Sequence, residues 1–250
     1  MVFIKIFPVL FVVLVFFGCR DNSQSDAKKI NQTNKNNSKK EVQTSEWINL
    51  FDGSSLNQWR GYLMDDMPNE WTIQDNVLVF IPSEEGGKSI ITKDKFNNFI
   101  LSIEWKISKG GNSGIFWGVY EDEEFSEAYH TGPEIQILDN ASHPDAKINP
   151  KFHQAGALYD LVQPKHDVCK PAGEWNLCEL EVNHETNKGS VALNGVQIVS
   201  FSLSGSEWEE MIKKSKFKDW DGFGKYHSGH IGLQDHGDKV WFKNIKIKRL

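Results

Sequence analysis

The segment "FILSIEWKI" places Phe99, Leu101, Ile103, Trp105 and Ile107 on one side of an extended chain and Ser102, Glu104 and Lys106 on the other. That period of two predicts a half-buried β-strand. The pattern returns in "GIFWGVY", "EIQILD", "GALYDLV", "WNLCELEV", "SVALNGVQIVSF", "HIGLQDH" and "VWFKNIKIKRL". Asn194-Gly195 is a hairpin turn signal, and Gly, Asp or Asn marks most other breaks. Many short strands without interleaved helices predict an all-β, two-sheet antiparallel sandwich. One short helix is expected in "SEWEEMIKKSKF", where Trp208, Met211, Ile212 and Ser215 share a side and Ser206 caps the start. It should plug an end or an edge of the sheets.

The pattern changes at the N-terminus. Residues 1–18 carry an early cation, Lys5, then an apolar run from Ile6 to Phe17 that is short for a membrane span, and read as a signal peptide. Gly18 precedes Cys19, the predicted lipidation site, although Phe16 and Phe17 are bulky for a lipobox. Residues 19–45, rich in Asn, Ser, Lys and Gln, have almost nothing apolar to bury and read as a disordered tether. The expected folded domain is 46–250, at the surface of a bacterial cell envelope as a lipid-anchored lipoprotein, periplasmic or on the outer membrane. Membrane contact is through the anchor only.

The net charge of −6 and the absence of a clustered basic stripe argue against a nucleic-acid partner. Cys169 and Cys178 remain after Cys19. An oxidising envelope permits a bridge between them, but the loop "KPAGEWNL" decides whether they meet. Most of the nine tryptophans and sixteen phenylalanines belong in a sandwich core. Trp117, just after "NSG", has two readings, core packing or a stacking surface for a sugar ring.

Candidate chemistry concentrates in "GPEIQILDN". Glu134 and Gln136 share one face of a strand, and Ile135 and Ile137 the other. Asp139 lies at an odd offset from Glu134 and joins the pair only if a bulge or strand end re-aims it. "GGNSG" adds Asn112 and Ser113, "FHQAGALYDL" adds His153, Tyr159 and Asp160, and "LQDHGD" adds Gln234, Asp235, His236 and Asp238. Histidine suits proton transfer near neutral pH, and carboxylates serve as acid or base. On the pattern alone, Glu134 and Gln136 fit the solvated face of an edge strand equally well.

Seven segments in order, "LFDGSSLNQW", "GNSGIFWGV", "GPEIQILDN", "AGALYDLVQP", "KPAGEWN", "LNGVQIVSF" and "GHIGLQDHGDKVWFKNIKIKRL", together resemble the 3-keto-disaccharide hydrolase family. These domains are also described as 3-keto-glucoside 1,2-lyase/3-keto-2-hydroxy-glucal hydratase domains. The resemblance runs from Trp47 to Leu250. It implies a concanavalin-A-like jelly roll of the lectin/glucanase type. His130 stands where an acidic residue is expected before "TGPE", and the cysteine pair is not a family feature.

The resemblance implies cleavage of 3-keto-glycosides. A ketone at carbon 3 acidifies the proton at carbon 2, and its removal expels the glycosidic oxygen from carbon 1; water then adds, giving net hydrolysis. Such chemistry needs a base, a donor or cation at the keto oxygen, and help for the leaving group. The candidate roles are His153 or Glu134 as base, and His236 with Gln136 and Asn112 on the keto oxygen and hydroxyls. Asp139 would orient a histidine or assist proton transfer, and Tyr159 would protonate the departing oxygen. Trp117, Gln234 and Asp235 complete the substrate-binding set. The sequence requires no cofactor. A divalent metal held by Glu134, Asp139 and a histidine would stabilise the enolate, though no ligand spacing demands one. Since a 3-keto sugar must first be made, functional coupling to a sugar 3-dehydrogenase is expected. The competing readings are a two-carboxylate glycosidase and a non-catalytic carbohydrate-binding module.

Overall fold

The computed structural model describes residues 46–84, 86–149 and 151–250, so the leader, Cys19 and the whole tether lie outside the described residues. Thirteen strands follow in chain order: β1 Trp47–Phe51, β2 Trp59–Gly61, β3 Trp71–Gln74, β4 Val77–Phe80, β5 Ile90–Thr92, β6 Phe99–Ile107, β7 Asn112–Val119, β8 Glu134–Leu138, β9 Asn176–Asn183, β10 Lys188–Leu193, β11 Val196–Phe201, β12 His230–Leu233 and β13 Val240–Arg249. Among the described residues there are two helices, α1 Asp145–Ile148 and α2 Gly205–Lys214, with a 3-10 turn at Ala128–His130.

The strands form two antiparallel sheets. The larger runs β11-β10-β9-β6-β13-β4-β3, with β1 also on β13; the smaller runs β2-β5-β12-β7-β8. β13 is long enough to serve two neighbours on one side: Val240–Phe242 pair with β4, and Ile245–Lys248 pair with β1. The alternation in β6 is realised, with Phe99, Leu101, Ile103, Trp105 and Ile107 all buried. These side chains meet Ile115, Ile135, Ile137, Ile231 and Leu233 of the smaller sheet in one continuous core. Each such aliphatic or aromatic side chain contributes roughly 1.5–3 kcal/mol on burial. Since Ile135 and Ile137 point into that core, Glu134 and Gln136 point away from the larger sheet, on the outer face of the smaller one.

Two expectations are corrected, and the cysteine pairing that the sequence left open is answered. "GALYDLV" forms no strand: Gly156 at φ 84° and Asp160 at φ 60° turn the chain, and only bridges of Leu158 to Ile135 and Val162 remain. The helix starts earlier than its pattern suggests, with Ser204 rather than Ser206 at the N-cap. Cys169 and Cys178 are both free. Cys178 lies in β9 within the core, where burial pushes its thiol up to about 12, and Cys169 donates to the Lys170 carbonyl at 3.3 Å.

The segment that fails to form a strand instead protects one. Strand β8 is the last of its sheet, and its free edge is covered by the turn that follows α1. Gln136 N donates to Ala157 O at 3.0 Å, Gly156 N to Gln136 O at 2.8 Å, and Tyr159 N to Glu134 O at 2.9 Å. The backbone carrying Tyr159 is thereby held against the backbone carrying Glu134.

Candidate active site

A cavity of about 410 Å³ opens on the outer face of the smaller sheet, within the roughly 300–1,000 Å³ typical of small-molecule sites. Its polar floor is built from Asn112 of β7, Glu134 and Gln136 of β8, and Gln234 and His236 from the segment after β12. Tyr129, Phe217, Trp220 and Phe223 form an aromatic wall, and Tyr159 and the exposed Lys216 also line it.

Register explains the floor. Phe116 pairs with Glu134, and Gly114 with Gln136. The Glu134 side chain leans over Gly114, where any Cβ would collide with its carboxyl. Gln234 is held to β7 from both ends of its backbone, its N–H donating to Gly114 O at 3.0 Å and its carbonyl accepting from Ser113 Oγ at 2.8 Å. Asn112 N donates to Asp238 Oδ2 at 3.1 Å, and Asn112 Nδ2 donates to His236 Nε2 at 3.2 Å. In that arrangement the proton of a neutral His236 ring resides on Nδ1. His236 also has a φ of 24°, a left-handed backbone uncommon outside glycine, just before Gly237 at φ 79°.

Two properties of the floor bear on chemistry. Burial raises the Glu134 carboxyl to about 8; Lys216 opposes that rise and Asp145 adds to it. Glu134 is the one acid among the cavity-lining residues. In addition, Asn112 Oδ1, Gln136 Oε1 and Gln234 Oε1 are buried with no hydrogen-bond partner. Buried polar groups are ordinarily paired, so three bare acceptors around one cavity mark where a ligand's hydrogen-bond donors fit.

Beside the cavity, His153 is bracketed by acids. Its Nδ1 lies 2.9 Å from Asp145 Oδ1 and its Nε2 lies 3.0 Å from Asp160 Oδ1. Tyr159 donates its hydroxyl to Asp145 Oδ2 at 3.1 Å and stacks on His153 at 4.3 Å. Asp160 Oδ2 accepts the Lys216 N–H at 2.8 Å. Burial pushes the Tyr159 phenol well above its ordinary range, with the Asp145 and Glu134 charges adding to the effect.

The structure therefore brings together Glu134, Gln136, Asn112, Gln234, His236 and Tyr159 and leaves His153, Asp139, Trp117 and Asp235, as well as Ser113, Asp160 and Asp238, outside the lining. His153 is not in the lining, and both its ring nitrogens are engaged, so it is not placed as the base. Asp139 turns to its own loop, Oδ2 accepting from Gly110 N at 2.7 Å and Oδ1 from Ala141 N at 3.1 Å. Burial pushes its carboxyl up, but backbone N–H bonds, Gly110's foremost, outweigh that and hold it below its usual value. Trp117 is 3% exposed on the core side, 6.2 Å from Phe201 and 6.3 Å from Trp208, so it is no sugar platform. Asp235 accepts from Ser89 Oγ at 2.9 Å, away from the lining. The metal trio of Glu134, Asp139 and a histidine is not assembled, and among the described residues no three acidic, imidazole or thiol groups are spaced as metal ligands.

Residues 46–248 match the profile of the 3-keto-alpha-glucoside-1,2-lyase-like domain. The chain belongs to this family. A 3-keto-disaccharide hydrolase of Bacteroides thetaiotaomicron is 38% identical over 236 residues, covering 84% of this chain and 80% of its own. Membership of the lyase-like family makes the chain an enzyme rather than a binding module alone. A crystal structure from Parabacteroides distasonis ATCC 8503, provisionally described as a glycosyl hydrolase, is 28% identical with a TM-score of 0.75, covering 82% of this chain and 94% of that one. A Bacillus subtilis protein with a galectin-like fold, 12% identical with a TM-score of 0.52 over 82% of this chain and 94% of its own, shares the fold alone.

In this lyase-like domain, sequence reasoning missed Lys216, Tyr129, Phe217, Trp220 and Phe223. For Phe217, Trp220 and Phe223 the available signal was "KFKDWDGF", a loop with three aromatic residues directly after the amphipathic helix. Solvated linkers seldom hold so many rings, and here Phe217 and Phe223 stack at 3.9 Å.

Proposed function

We propose that this enzyme cleaves the glycosidic bond of 3-keto-glycosides by proton abstraction and elimination, followed by hydration. The observation that carries the proposal is a single buried carboxyl, Glu134, on the floor of a cavity whose other lining residues include no acid. A conventional glycosidase uses two carboxyl groups flanking the scissile bond, whereas elimination needs one proton-transfer group and a polarised ketone. A carboxyl raised to about 8 is a stronger base than an ordinary glutamate and still ionises near neutral pH.

Glu134 takes the proton from carbon 2, and that C–H electron pair passes into a carbon 2–carbon 3 double bond as the ketone becomes an enolate. The enolate collapses, the ketone re-forms, a carbon 1–carbon 2 double bond appears, and the glycosidic oxygen leaves with its electron pair. Protonated Glu134 is available to return the proton to that oxygen. Water then adds across the new double bond, hydroxyl to carbon 1 and hydrogen to carbon 2. Asn112, Gln136 and Gln234 offer their bare carbonyl oxygens to sugar hydroxyls, and the aromatic wall offers an apolar face to the ring or the aglycone.

The deciding experiment presents matched glycosides, native and oxidised at carbon 3, to the wild-type protein and to Glu134→Gln. Cleavage of the oxidised member alone, lost in the variant, is expected; equal cleavage of both members rejects the proposal. The ketone requires a supplying oxidation of the sugar at carbon 3, consistent with a dehydrogenase acting first. Lipid attachment at Cys19 belongs to the same proposal, and transfer of a radiolabelled fatty acid to the wild type but not to Cys19→Ser tests it.

A further inference from the structure

We propose that Lys216 is a catalytic residue: its ammonium takes the oxygen at carbon 3 of the sugar and holds the negative charge that develops there when the carbon 2 proton departs. This role rests on the site cleaving 3-keto-glycosides, as proposed above.

The assignment follows from what each polar group at the cavity has left to offer. A ketone oxygen carries no hydrogen, so it gains nothing from the bare oxygens of Asn112, Gln136 and Gln234, which call for hydroxyl donors. The Tyr159 hydroxyl proton is directed at Asp145, and Asn112 Nδ2 is joined to His236 Nε2. Amide N–H groups of the two glutamines are donors without net charge, whereas an enolate oxygen bears close to a full negative charge. Lys216 is the one cation among the cavity-lining residues, and among the described residues it makes no ion pair.

Its placement is built. Lys216 Nζ lies 4.3 Å from the centre of the Tyr159 ring and 5.2 Å from that of Phe217, so two ring faces locate a side chain that would otherwise roam. Its backbone N–H is held by Asp160, which also holds His153, and His153 stacks on the same Tyr159. The bracketed histidine thus acts as a positioning residue, fixing both the ring beneath Lys216 and the acid that anchors its backbone.

The charge balance is consistent. Before proton transfer the negative charge sits on Glu134, and afterwards it sits on the carbon 3 oxygen, Glu134 having become neutral. Lys216 takes no part in the proton transfer and faces negative charge in both states, so the transfer requires no new counter-charge. The effect of Lys216 on the Glu134 carboxyl shows that its field reaches the base.

The test compares wild type, Lys216→Met and Lys216→Arg on a 3-keto-glycoside and on the same compound deuterated at carbon 2. Lys216→Met should lower kcat about 10²- to 10³-fold, as loss of an oxyanion-stabilising donor does, and raise the isotope effect because carbon–hydrogen cleavage becomes more fully rate-limiting. Lys216→Arg should recover much of the rate. A merely structural role would reduce the active fraction without changing the isotope effect. Wild-type kcat and an unchanged isotope effect in Lys216→Met would overturn the role of Lys216 and leave the reaction standing. Failure of the wild type to cleave any 3-keto-glycoside would overturn the reaction and the role together. Because Lys216 is exposed, the variants should fold; circular dichroism checks this, and aminoethylation of Lys216→Cys, which restores an amine, should restore the rate.

Discussion

The carboxyl of Glu134 occupies the space that a side chain at residue 114 would need, so Gly114 on the neighbouring strand is a condition for the acid to lie where it does. Gly114→Ala should push the carboxyl out of the cavity floor. A displacement of about 1 Å at a reacting group costs on the order of 100-fold in rate. The expected result is a large fall in kcat with a small change in melting temperature, measured on the same preparation. Wild-type kcat in this variant would show that the position of Glu134 is not critical.

The raised Glu134 carboxyl sets a pH dependence of both activity and stability. As base it must be ionised, so kcat should climb with pH and level off above about 8. Stability runs the other way. A carboxyl raised on folding binds its proton more tightly in the native state than in the unfolded chain. The benefit is complete below the unfolded value near 4.5 and is lost as pH rises through about 8. Glu134→Gln should remove this loss, making the variant more stable than wild type at alkaline pH by on the order of a few kcal/mol, while abolishing activity. Denaturant titrations of both proteins at acidic and alkaline pH measure it; parallel stability curves would contradict the buried charge.

His153 is held by two acids rather than by a substrate. His153→Ala would leave Asp145 and Asp160 without their shared partner in a partly buried setting, at a cost of roughly 2–3 kcal/mol. Thermal unfolding should show the loss at neutral pH, and kcat should fall with it because Tyr159 and Lys216 lose their support. Were His153 the base, kcat would vanish in a variant of nearly normal stability.

Free Cys169 and Cys178 predict indifference to reductant. The melting temperature should be the same with and without dithiothreitol, and both thiols should react with a maleimide once the chain is unfolded. A drop of several degrees under reduction would reveal a bridge.

The sandwich was legible because β6, β9 and β13 each bury mainly one face, and burial of one face writes a period of two into the residues. The first five strands, each of three to five residues, are too short to show a period. "GALYDLV" misled for a related reason: its apolar residues are buried by a turn packed against β8, and two left-handed residues inside it carry no hydropathy signal. Within the site, strand alternation put Glu134 and Gln136 on one face but did not distinguish a buried cavity floor from a solvated edge. Asp139 was not legible, since its neighbours' amides claim it at the strand end. Lys216 was illegible because nothing local distinguishes it from the lysines around it; only the fold lays it over Tyr159.

The turn that covers β8 has a consequence beyond catalysis. An uncovered terminal strand invites pairing with another copy of the chain, and here the segment from Gly156 to Tyr159 occupies Gln136 N, Gln136 O and Glu134 O along its edge. Lengthening or loosening that segment to admit a bulkier substrate would also reopen a template for intermolecular β-pairing, so solubility and substrate range are tied to the same few peptide groups.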